Sequence, residues 1–113
     1  MDVKEIQTKL ARFAAERDWD QFHSPKNLSM ALAGEAGELL EIFQWLTEEQ
    51  SSCGSLTPEQ LNDASDELAD IMIYAIRLAD KLDVDLEASI SRKIEKNAAR
   101  YTVEAAKGNA LKR

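Results

Sequence analysis

Glu35 and Glu38 stand three residues apart in one stretch of the chain, Glu67 and Asp70 stand three apart in another, and Glu41 lies one step beyond the first pair. Carboxylates at that spacing share a helix face, and a cluster of oxygen-only donors suits a hard divalent cation, Mg2+ or Mn2+, rather than zinc. Their surroundings sharpen the reading. At about 100° per residue, Leu28, Leu32, Leu39, Ile42 and Leu46 fall in a narrow sector of one helix. Glu35 sits in the middle of that sector, with Glu38 about 60° to one side. Glu67 and Asp70 run directly into Ile71-Met72-Ile73-Tyr74-Ala75-Ile76, which is apolar on every face, so the two cannot both face bulk water. An ionised carboxylate drawn out of water is costly or shifts its pKa, and like charges held together raise the cost. Two remedies exist, a basic partner or a bound cation. Arg77, about two turns beyond Asp70, is the nearest basic residue. A lone Glu-x-x-Glu is usually a solvated face; two acidic pairs inside apolar stripes on neighbouring helices favour the cation.

A cation held by carboxylates takes substrates that bring their own oxygens, commonly phosphates. Lys93, Asn97 and Arg100 recur at four and three residues on one helix face beside Tyr101 and offer donors for those oxygens. A solvated basic face paired with Glu95 and Glu104 is the alternative, and it is the reading taken for Lys96. Flat rings complete the set. Trp19, Phe22 and His23 fall in an interhelical loop, Trp45 ends the first acidic stripe, and Tyr74 lies one turn past Asp70. Rings near a phosphate site can sandwich a nucleobase, and Trp19 and Trp45 are the better candidates; Phe13, Phe22 and Phe43 read as core. His23, the only histidine, reads as a structural hydrogen bonder before a ligand or base, and stands as a candidate lining residue for base and sugar. A carboxylate not occupied by metal, Glu38 or Glu41, is the candidate general base. Gly34 and Gly37 flank Glu35 in mid-helix, where close helix packing and ligand approach are both open readings.

The elements that must position these residues follow from composition and punctuation. The 113-residue chain carries 14 Lys+Arg against 21 Asp+Glu, a net charge of −7, with 44% hydrophobic and 31% charged residues. That is a single-domain length and a globular composition. The acidic balance excludes a duplex nucleic-acid binder, which needs a basic face. Cys53 is the only cysteine, so no internal disulfide is available and a reducing, cytoplasmic setting is expected. No apolar run approaches membrane-spanning length, and Met1-Asp2-Val3-Lys4-Glu5 has no signal core, so neither membrane nor export is expected. Four Gly and two Pro leave little for the turns of a β fold, and helices are the default. The spacing predicts a first helix from about Val3 to Arg17 and a second from the Ser24-Pro25 cap to about Glu49. A third is predicted from the Thr57-Pro58 capping box to about Leu82, and a fourth after Asp85. The expected fold is all-α, a four-helix bundle-like protomer forming one domain over 1–106, with a frayed tail over 107–113. A third helix greasy all round further predicts a homo-oligomer, because four helices cannot enclose one of their own number.

Glu35-Ala36-Gly37-Glu38, then Glu67-Leu68-Ala69-Asp70, then Lys93, Asn97 and Arg100-Tyr101, in this order and spacing, resemble the all-α nucleoside triphosphate pyrophosphohydrolases of the MazG-like superfamily. Phe13 through Trp19, Gln21-Phe22-His23, Asn27-Leu28 and Gly34 through Trp45 are similar to the branch containing the dCTP pyrophosphatases. The resemblance covers roughly residues 3 to 101. It implies Glu35, Glu38, Glu67 and Asp70 as Mg2+ ligands, Lys93, Asn97, Arg100 and Tyr101 on the triphosphate, and Trp19, Trp45 and Tyr74 around base and sugar. It further implies dimers or tetramers with shared pockets, hydrolysis to monophosphate and pyrophosphate, and removal of unwanted nucleotides. Leu10 departs from the pattern, standing where the animal dCTP enzymes have a base-contacting histidine. Two rivals differ in kind. A di-iron carboxylate bundle needs Glu-x-x-His, which the chain lacks; a non-catalytic helical interaction module explains composition but not Glu35 in mid-stripe.

Overall fold

In the computed structural model, which describes residues 1–112, the secondary structure is all helical, with no strand among the described residues. Helix α1, Val3–Glu16, starts where the Asp2 side chain accepts from the Glu5 backbone N–H. It ends in a reversal: Asp18 takes φ 55°, in the left-handed region where Asp is better tolerated than most residues, and the Trp19 N–H returns to the Ala14 carbonyl at 2.8 Å. A 3-10 turn, Asp20–Phe22, leads into α2, Pro25–Phe43, whose cap is the expected one, the Ser24 hydroxyl accepting from Asn27 N–H. Thr57 and Gln60 exchange side-chain and backbone hydrogen bonds at the start of α3, Pro58–Lys81, as their spacing predicted. Asp83, at φ 54°, breaks the chain before α4, Leu86–Arg100, which Asp85 caps. A short α5, Val103–Ala106, follows a Thr102 cap that the periodicity did not announce.

One boundary differs from expectation. Helix α2 stops at Phe43 rather than near Glu49. Thr47 and Gln50 close a reciprocal box of their own, Gln50 Oε1 accepting from Thr47 N–H and Thr47 Oγ1 from Gln50 N–H. That arrangement satisfies the local backbone in a turn instead of prolonging the helix. Trp45 and Leu46 therefore leave the helical stripe.

The core lies where α3 packs against α2 and α1. Leu28 (2% exposed) and Ile76 (1%) are its largest buried side chains, with Val3, Ala14, Ala64 and Ala79 around them. Burying a leucine in this way stabilises the fold by roughly 1.5–3 kcal/mol relative to leaving it in water. Helix α3 is left partly uncovered within the protomer, as expected of four helices that cannot enclose one of their own number. Leu68, Met72 and Ile73 of α3 stay exposed. The chain divides into two compact units, Met1–Asp83 and the segment from Val84 onward. No helix among the described residues is long and apolar enough to cross a membrane.

Candidate functional site

Helix α2 carries Glu35 and Glu38 to the same place that α3 carries Glu67, and the three can offer carboxylate oxygens that all lie within 4.8 Å of one another. The register follows from the apolar contacts beneath. Glu35 follows the buried Leu28 by two turns on α2 and Glu67 follows the buried Ala64 by one turn on α3, so helical periodicity brings both carboxylates to the seam between the two helices. Both are half-buried, while Glu38 remains exposed, so the cluster sits at the edge of the core rather than deep inside it. Oε2 of Glu35 and Oε2 of Glu67 are shielded from solvent and have no hydrogen-bond partner in the protein. Glu67 is pushed up to about 7, first by the Glu35 carboxyl group beside it, then by desolvation and by the charges of Glu38 and Glu35. Unpartnered, hard, anionic oxygens converging from two helices fit a divalent cation of the Mg2+ or Mn2+ type, and among the described residues of Met1–Asp83 no Lys or Arg forms an ion pair with them. Arg77 is turned elsewhere.

Asp70, the fourth expected ligand, does not join that trio; it lines a neighbouring cavity of about 400 Å3, whose wall Glu35 also forms. Leu10, Phe13 and Trp19 supply one apolar side of this cavity, and Ile73 and Tyr74 another. Phe13 is 46% exposed and packs edge-on against Trp19, ring centroids 5.7 Å apart, with the Arg17 guanidinium 3.6 Å above the Phe13 ring. It is thus a wall residue rather than the core residue its position suggested. Phe22, at 59% exposure, is not core either, because the 3-10 turn presents it outward. On the other side of the trio a second cleft, about 370 Å3, is bounded by Glu38, Glu41, Ile42, Asp63, Asp66 and Glu67. Asp63 and Asp66 lie outside the apolar stripe that marks Glu67 and Asp70, yet their spacing puts all four on neighbouring turns of α3.

His23 also lines the aromatic cavity and behaves as the hydrogen bonder expected. Its Nδ1 accepts from Arg77 Nε at 3.1 Å, while Arg77 Nη2 donates to Asp20 Oδ1 at 2.7 Å. Lys81 Nζ reaches the same Asp20 oxygen at 2.5 Å. Asp20 is held below the usual carboxylate range, by the Lys81 hydrogen bond first and by Arg77 as well, against some desolvation. His23 is lowered by burial and by the neighbouring Arg77 and Lys81 charges. The clasp pins the loop that carries Trp19 onto α3.

Trp45 is 87% exposed in the turn after α2 and lines neither cavity, because α2 ends early. A Cβ added at Gly34 or Gly37 would meet nothing within 4 Å, so no close helix contact in the protomer requires either glycine. In the second unit, Lys93, Asn97 and Arg100 lie exposed along α4, and Tyr101 closes the helix with its N–H on the Asn97 carbonyl.

Comparison with known proteins places this geometry. The MazG-like family model matches residues 31–112. dCTP pyrophosphatase 1 of Bos taurus is 43% identical over 110 residues, 97% of this chain and 65% of that protein, and the Homo sapiens protein of the same name is 40% identical over the same shares. The chain therefore spans about two thirds of the length of these relatives. The Gene 37 protein of Mycobacterium phage L5 is 32% identical over 83 residues, 74% of this chain and 71% of that one. A crystal structure of a pyrophosphatase from Archaeoglobus fulgidus superposes with a TM-score of 0.80 at 33% identity, covering 88% of this chain and 91% of its own.

Proposed function

The chain belongs to the MazG-like family, and from that premise we propose that it is a nucleoside triphosphate pyrophosphohydrolase, cleaving a deoxynucleotide at the α-phosphate to the monophosphate and pyrophosphate. The observation that carries the reading is the Glu35, Glu38 and Glu67 cluster, with its two orphaned oxygens, set beside an aromatic cavity wide enough for a nucleobase. The relatives named as dCTP pyrophosphatases support a dCTP-like or modified pyrimidine substrate.

Glu35, Glu38 and Glu67, with Asp70 at the cavity wall, would hold Mg2+ or Mn2+. When bound, such an ion supplies charge neutralisation at the phosphate oxygens and a more acidic water. The remaining roles belong to the chain. Glu38 or Glu41, both open to the acidic cleft, takes the proton of the water that attacks the α-phosphorus, and the bond to the bridging oxygen of the leaving pyrophosphate breaks. Trp19 and Tyr74 hold the base and sugar, His23 lines the same wall, and Trp45 would have to come from elsewhere in an assembly to take part. Lys93, Asn97, Arg100 and Tyr101 bind the triphosphate, the two cations stabilising charge on the departing group. The exposed apolar side of α3 supports a homodimer or homotetramer. The lone Cys53 is consistent with a reducing, cytoplasmic setting.

The test is incubation with Mg2+ and a panel of deoxynucleoside triphosphates, with pyrophosphate and orthophosphate detected separately. Pyrophosphate release that disappears in Glu38→Gln and Asp70→Asn is the expected result. Orthophosphate alone would replace the reaction with another phosphatase chemistry; a folded protein that turns over no nucleotide would leave a helical interaction module.

A further inference from the structure

Arg77 is 5% exposed and is the one charged side chain classed as buried among the described residues. Its position on α3 makes no use of the acidic cluster. Instead the guanidinium spends its donors on the loop between α1 and α2: Nε on His23 Nδ1 at 3.1 Å and Nη2 on Asp20 Oδ1 at 2.7 Å, with Nη1 3.5 Å from Asp80 Oδ2. Guanidinium has N–H donors and no acceptor, so the ring nitrogen facing it must present a lone pair. A neutral imidazole with its lone pair on Nδ1 carries its proton on Nε2. An imidazolium would oppose N–H to N–H and add a cation beside Arg77 and Lys81. Since Nδ1 is engaged by Arg77, Nε2–H is the polar atom His23 has left, and His23 lines the cavity with Trp19 and Tyr74.

We propose that Arg77 is a positioning residue for this cavity: it locks His23 as the Nε2–H tautomer, so that His23 offers a fixed, neutral hydrogen-bond donor to an acceptor on the substrate base. A base carbonyl oxygen satisfies that donor, whereas an exocyclic amino group at the same point opposes it. Sites built around one polar contact reject analogues that lack the partner, because a desolvated group is then left unpaired. The inference rests on the nucleotide reading for the identity of the ligand, but not for the tautomer.

With a single histidine in the chain, the imidazole 15N spectrum is unambiguous. The free wild-type protein should show the neutral Nε2–H form, and Arg77→Met should show a mixture of tautomers. Adding deoxycytidine monophosphate, which is not a substrate for pyrophosphate release, should shift the Nε2 resonance. In turnover, Arg77→Met should raise KM about tenfold for a pyrimidine triphosphate that retains its base carbonyl, the size of one neutral hydrogen bond. A C-nucleoside analogue lacking that oxygen should change little, and kcat less than KM. An Nδ1–H tautomer or an imidazolium in the free protein, no Nε2 shift with the monophosphate, or equal losses for both triphosphates would overturn the proposal. Absence of turnover in wild type would count against the pyrophosphohydrolase reading alone, because the two spectra still decide the tautomer and the base contact.

Discussion

Glu67→Gln separates a metal site from an acidic surface. The substitution keeps the size of the side chain and removes one anion from a trio whose oxygens lie within 4.8 Å. In metal-free protein it should therefore fold at least as well as wild type, because it relieves like-charge crowding, the same crowding that pushes Glu67 up to about 7. The consequence for cation binding runs the opposite way. A cation present at about a hundred times its Kd stabilises a folded protein by about 2.7 kcal/mol. Unfolding entropy near about 2.1 cal/mol/K per residue, over 113 residues, makes that a rise in Tm of about 11 °C. Differential scanning fluorimetry or calorimetry at about pH 8, above the value to which Glu67 is raised, reads both effects. Wild type should gain about 11 °C at saturating Mg2+ or Mn2+, and Glu67→Gln most of that less. A wild-type Tm indifferent to both ions, or a Glu67→Gln protein that keeps the full shift, would refute the assignment. A metal-free Glu67→Gln Tm well below wild type would show that the carboxylate is a structural partner instead.

Three further outcomes concern the core, the Asp20 clasp and the aromatic cavity. Leu28→Ala empties a site that is 2% exposed and should lower stability by about 2–5 kcal/mol, measured by denaturant titration with unchanged m-value. Asp20→Asn removes the acceptor shared by Arg77 and Lys81; because the folded Asp20 is held below 3.8, its stabilisation is complete above that value and lost as pH falls. The difference in Tm between Asp20→Asn and wild type should thus be present at neutral pH and vanish in acid. Trp19→Ala strips one wall of the 400 Å3 cavity and should raise KM by about tenfold or more, since stacking on one aromatic contributes about 1–3 kcal/mol. Steady-state kinetics that instead show a kcat loss at constant KM would remove Trp19 from base binding.

Much of this molecule is written locally. Ser24, Thr57 and Asp85 cap the helices where their spacing said they would, and Asp2 does the same for α1, because a cap needs only a side-chain oxygen and an N–H a turn away. The Thr47 and Gln50 box obeys the same chemistry, and reading the Leu46 stripe past it misplaced the end of α2. The acidic pairs were legible for a related reason: burying Glu35 in an apolar stripe is unfavourable enough to stand out against any ordinary helix face.

What the one-dimensional pattern could not decide was which acids meet. Glu35, Glu38 and Glu67 converge while Asp70 turns to the aromatic cavity, a distinction set by how α3 rotates against α2 once Leu28 and Ala64 are buried. Arg77 likewise looked like the nearest basic neighbour of the carboxylates, and packing aimed it at Asp20 and His23, more than fifty residues away in sequence. Residue type and spacing determine which side chains are chemically capable and which face of a helix they share. Their partners across the seam depend on nonlocal burial, which no short window of sequence contains.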